Sequence, residues 1–266
     1  MTTGSSTYGF EIPTASRPGA AAWGQMILAE ARSVIRDTAG LVVPIGLPAV
    51  LLLSQAFGTS QESVAEAGDR SVLEVFILPI TLVMVVAMVG VVNMPSFLAT
   101  YRKLGLLKRL AATPAHPAMV LVAQVTVSVV QTVVGLGLAL GIVGVGFGLV
   151  GPEDAPATLG TLMLVAAAMY ATGMLIGALA PTTNASIALG LLAFLVMGAA
   201  GGMFGGTQNL PESMARFGEW LPFGAGLRLL EAAWLGGEIE ARHVIALSAA
   251  VVLGVASAVR FFRWSR

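Results

Sequence analysis

The sequence predicts an all-α membrane protein built on six transmembrane helices, and three observations carry that reading. Of its 266 residues, 56% are hydrophobic and only 11% charged, with a mean hydropathy of +0.87, whereas about a quarter of the residues of a soluble domain are charged. The apolar residues gather into six runs, the longest of which cross roughly 30 Å of hydrocarbon as a helix with residues to spare. These runs are continuous and lack the period-two alternation of barrel strands. A span without water must satisfy its peptide groups internally, so each run is a helix.

Residues 1–19 are polar, contain Pro13 and Pro18 and have no apolar core; they read as a mobile cytoplasmic tail and not as a signal peptide. Residues 20–36 form an amphipathic helix. At about 100° per residue, Trp23, Ile27 and Val34 fall within about 40° of one another while Gln25, Arg32 and Arg36 cluster opposite, the pattern of a helix lying in the membrane interface. Glu30 falls inside the apolar arc, where its carboxylate must either snorkel to the headgroups or form a salt bridge to the cytoplasmic island.

Residues 37–266 hold the six spans, read as Thr38 to Phe57, Val72 to Met94, Met119 to Val150, Ala157 to Ala180, Ala185 to Phe204 and Val244 to Phe262. An even number places both termini on one side. Arg17, Arg32 and Arg36 precede the first span, Arg102, Lys103, Lys108 and Arg109 form an island after the second, and Arg260, Arg263 and Arg266 close the chain. Only Arg70, Arg216, Arg228 and Arg242 fall on the other side, so the positive-inside rule puts both termini in the cytoplasm. The opposite loops carry Glu62, Glu66, Asp69, Glu153, Asp154, Glu212, Glu219, Glu231, Glu238 and Glu240, which makes the outer face acidic.

The long connection Gly205 to His243 is too apolar for a flexible loop and too interrupted for a span. Pro211, Trp220, Pro222 and Gly236-Gly237 punctuate it into two short helices, Glu212 to Leu221 and Ala225 to Leu235, that dip into or lie against the outer leaflet. Long connections of this kind are usually functional. Arg216 with Glu219, and Arg228 with Glu231, are spaced to pair on those helices.

The sequence offers little chemistry of its own. It has no cysteine, no phosphate-binding loop of the form GxxxxGK[ST] and no HExxH. His116 and His243 sit at opposite membrane borders and cannot share a metal. Asp37 and Asp69 flank the first span at opposite ends, so no aspartyl dyad forms. Glu74 is the one charged residue read inside a span, which argues against proton-driven transport. Gln124, Ser128 and Gln131 lie on one face of the third span, with Asn93 near the inner end of the second. These four either line a translocation path or hydrogen-bond helices to one another. The glycine pairs Gly137/Gly141, Gly144/Gly148 and Gly173/Gly177 permit close helix approach. Met84, Met88, Met169, Met174, Met197 and Met203 read mostly as core filling, although flexible thioethers also suit a promiscuous apolar pathway.

In its order of elements the chain resembles the type-2 membrane permeases of bacterial ATP-binding-cassette (ABC) exporters. The family pattern after the second span is an acidic-basic start, a glycine, a basic residue, a leucine and a Ser/Thr-Pro. Arg102, Gly105, Lys108 or Arg109, Leu110, Thr113 and Pro114 match it in order, while Tyr101 and Leu106 stand where the family often has Glu and a small hydroxyl residue. The resemblance implies that this segment is a cytoplasmic coupling helix, starting near Tyr101 and stopped by Pro114. Leu104, Leu107 and Leu110 would anchor it, and Arg102, Lys103, Lys108 and Arg109 would face a separate ATPase subunit. It also implies that the connection before the last span is an extracytoplasmic hairpin capping the exit, and that two permeases, identical or related, form the path.

The expected function is therefore ATP-driven export of a drug-like, lipid-like or amphipathic compound across the bacterial inner membrane. This chain would be no enzyme and need no cofactor, ATP and Mg being bound by the partner ATPase. Its partners would be that ATPase, a second permease and membrane lipids, with no nucleic acid. The alternatives are a polysaccharide or glycolipid exporter and a non-catalytic scaffold or immunity protein.

Overall fold

The computed structural model describes residues 19–58, 64, 70–105 and 118–261, and every regular element among them is helical. Helix α1 (Ala20–Arg36) ends at Asp37, whose carboxylate accepts from Gly40 N at 3.1 Å and so caps the start of α2 (Thr38–Gly58). A single helix, α3, runs Leu73–Lys103 and is followed by α4 (Ala118–Gly146), α5 (Ala155–Leu179) and α6 (Thr183–Ala200). Asp154 and Thr182 cap α5 and α6 by accepting from Ala157 N and Ala185 N. The connection to the last span holds α7 (Glu212–Gly218) and α8 (Pro222–Leu235), and α9 is Ala241–Phe261. Six of these, α2, α3, α4, α5, α6 and α9, are long and apolar enough to cross a membrane.

Helix α3 outruns its expected end by most of three turns, because Pro95 is absorbed and does not terminate it. Proline has no N–H, so the carbonyl four residues earlier loses its partner. In α3 the turns before Pro79 and Pro95 are π-helical, Leu73–Ile77 and Met88–Asn93, a wider winding that accommodates the missing donors. Conversely α4 stops at Gly146 and α6 at Ala200, where the third and fifth spans were expected to continue to Val150 and Phe204. Glycine turns with positive φ at Gly148, Gly151, Gly202 and Gly205 account for both.

Helix α3 is the axis of the bundle. In its most apolar window 78% of residues are buried, against 44% for α5, the next most enclosed span. Close crossings hold it there. A side chain at Gly173 would overlap the Gly90 carbonyl oxygen, one at Gly90 would lie 2.9 Å from the Met169 backbone, and Gly177 abuts Leu98 and Pro95. Of the glycine pairs, Gly173/Gly177 makes the expected close approach. Gly137 and Gly141 on α4 face open space.

The hairpin is asymmetric. Helix α8 is drawn into the bundle, with Phe223, Leu229, Leu230 and Trp234 all buried, and ends at Gly236 in the left-handed conformation. Helix α7 is largely exposed.

Candidate functional site

The last turn of α3 lies at the end of the bundle where the basic island begins. Tyr101, Arg102 and Lys103 close the span's own helix, and the chain then turns at Gly105 with φ +63. They are not the start of a separate helix, because a glycine in that conformation ends one. Leu104 is 64% exposed. Lys103 is exposed. Arg102 turns inward: its guanidinium donates to Gly177 O at 3.0 Å, Ala178 O at 3.3 Å and Ala180 O, the unpaired carbonyls at the end of α5. A cation at that terminus also meets the negative end of the helix dipole. Lys108, Arg109, Leu110, Thr113 and Pro114 lie outside the described residues.

Tyr101 turns the other way and donates its hydroxyl to Glu30 Oε2 on α1. Glu30 is 6% exposed, and its other oxygen has no partner among the described residues. Among the described residues this carboxylate meets a neutral hydroxyl and no cation; Lys108 and Arg109 of the island lie outside them. Burial raises its pKa above the usual carboxylate value, and the Tyr101 hydrogen bond opposes that rise. Around the pair, Val34 packs with Phe97, Val120 and Val127, and Ile27 borders them, so the expected apolar face of α1 is the one that meets α3 and α4. Trp23 is half-buried, and Arg32 and Arg36 are exposed.

The polar residues of α3 and α4 meet at one backbone atom. Pro44 lies within α2 and cannot donate to Gly40 O. Asn93 Nδ2 donates to that carbonyl at 2.8 Å and Gln131 Nε2 at 2.7 Å, while Asn93 Nδ2 also reaches Gln131 Oε1 at 3.0 Å. Two buried amides thus satisfy an acceptor that the proline orphans, each bond worth about 1 kcal/mol net and more if a buried group is left unpaired. Ser128 contributes its backbone carbonyl to the Tyr170 hydroxyl, which also bonds Thr132 at 2.7 Å. Gln124 is buried and its Oε1 meets no donor among the described residues.

None of these four residues is in the walls of the three cavities of about 490, 310 and 410 Å³. The first of these is a groove between α2, α3, α6 and the turn after α6, walled by Leu47, Leu51, Ile80, Met84, Phe194 and Met203 with Ser54, Gln55 and Thr81 as its polar members. It continues past Ile77, Ile80 and Met203 into a second space of about 310 Å³ that reaches Thr207, Arg228 and Glu231. Arg228 pairs with Glu231 at 3.1 Å, as their spacing predicts, and also donates to the Thr207 hydroxyl. Burial raises the Glu231 pKa, with Arg228 opposing. Arg216 pairs with Glu212 one turn earlier, and not with Glu219, which pairs with Arg242 at 3.2 Å. Pro211 caps α7 and Pro222 opens α8, while Trp220 between them is 57% exposed.

At the same end Glu74 is 1% exposed yet fully engaged. Its carboxylate accepts from Val150 N at 3.0 Å, Gly151 N at 2.9 Å and Trp234 Nε1 at 3.1 Å, with Arg70 Nε at 3.6 Å. Arg70 in turn donates to Gly151 O and Glu153. The one intramembrane charge read from the sequence therefore ties α3, the α4–α5 loop and α8 into a knot.

Six helices long and apolar enough to cross a membrane, packed around a buried axis, define a polytopic membrane protein. The chain belongs to the ABC-2 family of transporter proteins, whose model matches residues 15–259. No curated protein matches the chain. Of the groove walls the sequence singled out Met84 and Met203, and missed the rest because they come from three helices distant in the chain. The signal that could have exposed the amide clamp was Pro44 inside an apolar run, since a helix proline always leaves a carbonyl in need of a donor.

Proposed function

We propose that this chain is the membrane subunit of an ATP-driven exporter that moves an amphipathic, drug-like or lipid-like compound. The observation that carries the proposal is the groove between α2, α3 and α6, which is apolar for most of its wall and continuous with a second space that reaches Thr207, Arg228 and Glu231. Such a surface suits a compound that partitions into lipid. With the permease family established, energy comes from a separate ABC ATPase that binds the basic island, where Lys103 is exposed and Lys108, Arg109, Leu110, Thr113 and Pro114 continue the motif. Arg102 acts in this reading as the strut joining that docking segment to the end of α5. Two permease copies assemble around the path in the bacterial inner membrane with both termini inside, α1 lying in the interface and Arg32 and Arg36 facing headgroups. Asn93, Gln131 and Ser128 hold helices together in this scheme, and Pro211, Trp220, Pro222, Arg228 and Glu231 belong to the cap.

Purification of the tagged chain tests this directly. An ABC ATPase should co-purify, and Ala111→Cys should cross-link to it, since the chain has no native cysteine to compete. Recovery of folded permease with no ATPase overturns the proposal.

A further inference from the structure

The groove does not end at the hairpin. Arg228 and Glu231 line the second space on one side and, on the other, a third cavity of about 410 Å³ bounded by α7, α8 and the start of α9. This ion pair is therefore the partition between an apolar route and a polar chamber. The two compartments differ sharply in charge. The groove has no ionisable side chain in its wall, whereas the chamber is lined by Glu219, Glu231, Glu238 and Glu240 against only Arg228 and Arg242. His243 also lines it, is 3% exposed, and its Nε2 has no hydrogen-bond partner among the described residues. An orphaned buried ring nitrogen in a polar cavity is an open seat for a hydrogen-bonding guest.

We propose that Arg228–Glu231 is an exchangeable gate, and that the compound it passes is a hydrophobic protonated amine. The apolar body occupies the groove while the ammonium replaces Arg228 as the partner of Glu231. Beyond the gate the ammonium meets excess carboxylate and can donate to His243 Nε2. An anion pairing with Arg228 would instead face four carboxylates, a like-charge juxtaposition that costs selectivity. The pair is suited to exchange because it is partly solvated, its side chains being 35% and 21% exposed, and because Thr207 gives Arg228 a second acceptor to hold when displaced.

This inference rests on the groove being the transport path but not on the ATPase, so binding to the permease alone tests it. The protein in lipid nanodiscs is titrated with a dansyl-labelled long-chain amine and with the dansyl-labelled carboxylic acid of equal length, following saturable energy transfer from tryptophan. The amine should bind roughly tenfold more tightly, and Glu231→Gln should erase that preference while the exposed Glu212→Gln leaves it intact. Arg228→Gln, which frees the carboxylate, should strengthen amine binding and keeps the question open if Glu231→Gln does not fold. Equal affinity for the two probes, a preference unchanged by Glu231→Gln, or weaker amine binding in Arg228→Gln overturns the gate. Loss of ATPase co-purification with the amine preference intact would overturn the export reading alone.

Discussion

The two ends of α3 are fastened by different chemistry. At the hairpin end a buried carboxylate, Glu74, is matched by the guanidinium of Arg70 one turn before it, and by two backbone N–H groups and an indole from covalently distant segments. At the island end, among the described residues, a buried carboxylate, Glu30, meets one phenol and leaves an oxygen unpaired, and a guanidinium, Arg102, meets neutral carbonyls. Charge answered by charge and by several dipoles is costly to disrupt. Charge answered by a single hydroxyl is cheap to rearrange. Among the described residues the hairpin end is therefore the more firmly fastened of the two.

That contrast can be broken most severely at Glu74. Glu74→Ala would leave two loop N–H groups and the Trp234 indole without their acceptor in a buried site and remove the carboxylate beside Arg70, and should destabilise the protein by about 3–5 kcal/mol. Thermal unfolding in detergent reads this, and a loss below about 1 kcal/mol would remove the knot from the account. Next comes the axis between the two ends. Gly173→Ala puts a methyl against the Gly90 carbonyl, and should cost about 1–3 kcal/mol by overpacking, measured the same way.

The amide clamp gives a sharper test because it predicts a rescue. Asn93→Ala with Gln131→Ala leaves Gly40 O buried and unpaired, a loss of about 1–3 kcal/mol. Pro44→Ala restores an N–H to that carbonyl, so the same double substitution in the Pro44→Ala background should cost distinctly less. Additive losses would mean that the amides serve some other group.

The smallest effect belongs to Glu30 and reads in pH. Its pKa is raised in the folded protein, so the native state binds more protons than the unfolded chain. Stability from this group is complete below the ordinary carboxylate pKa and falls as pH rises through the folded value. Tyr101→Phe removes the opposing hydrogen bond and should steepen that fall. Glu30→Gln should flatten it, and melting curves across mildly acidic to neutral pH that coincide for all three proteins would refute the pairing.

How far the sequence could be read depends on the range of each signal. The six spans were legible because lipid demands long apolar helices wherever they occur, and the Arg228–Glu231 pair because three residues on a helix share a face. The partner of Glu30 was not legible, since Tyr101 is 71 positions away and brought near only by α1 folding across α3 and α4. Arg102 looked like a free docking cation because nothing in a local window reveals that α5 ends beside it. The end of α3 was misread for a local reason: Pro95 resembles a terminator, and only the wider winding before it lets the helix continue. The Gln131 reading was left open between a path and a helix contact, and the carbonyl it reaches lies 91 positions away, beyond any local window.

The clamp at Gly40 also constrains how the chain can change over time. With Pro44 in place, losing either amide exposes an unmet acceptor, so those substitutions are selected against. Once Pro44 gives way to a residue with an N–H, the carbonyl is served within its own helix and Asn93 and Gln131 become free to drift. Descendants of this sequence should therefore lose the proline before the amides, a direction of change written into a single backbone oxygen.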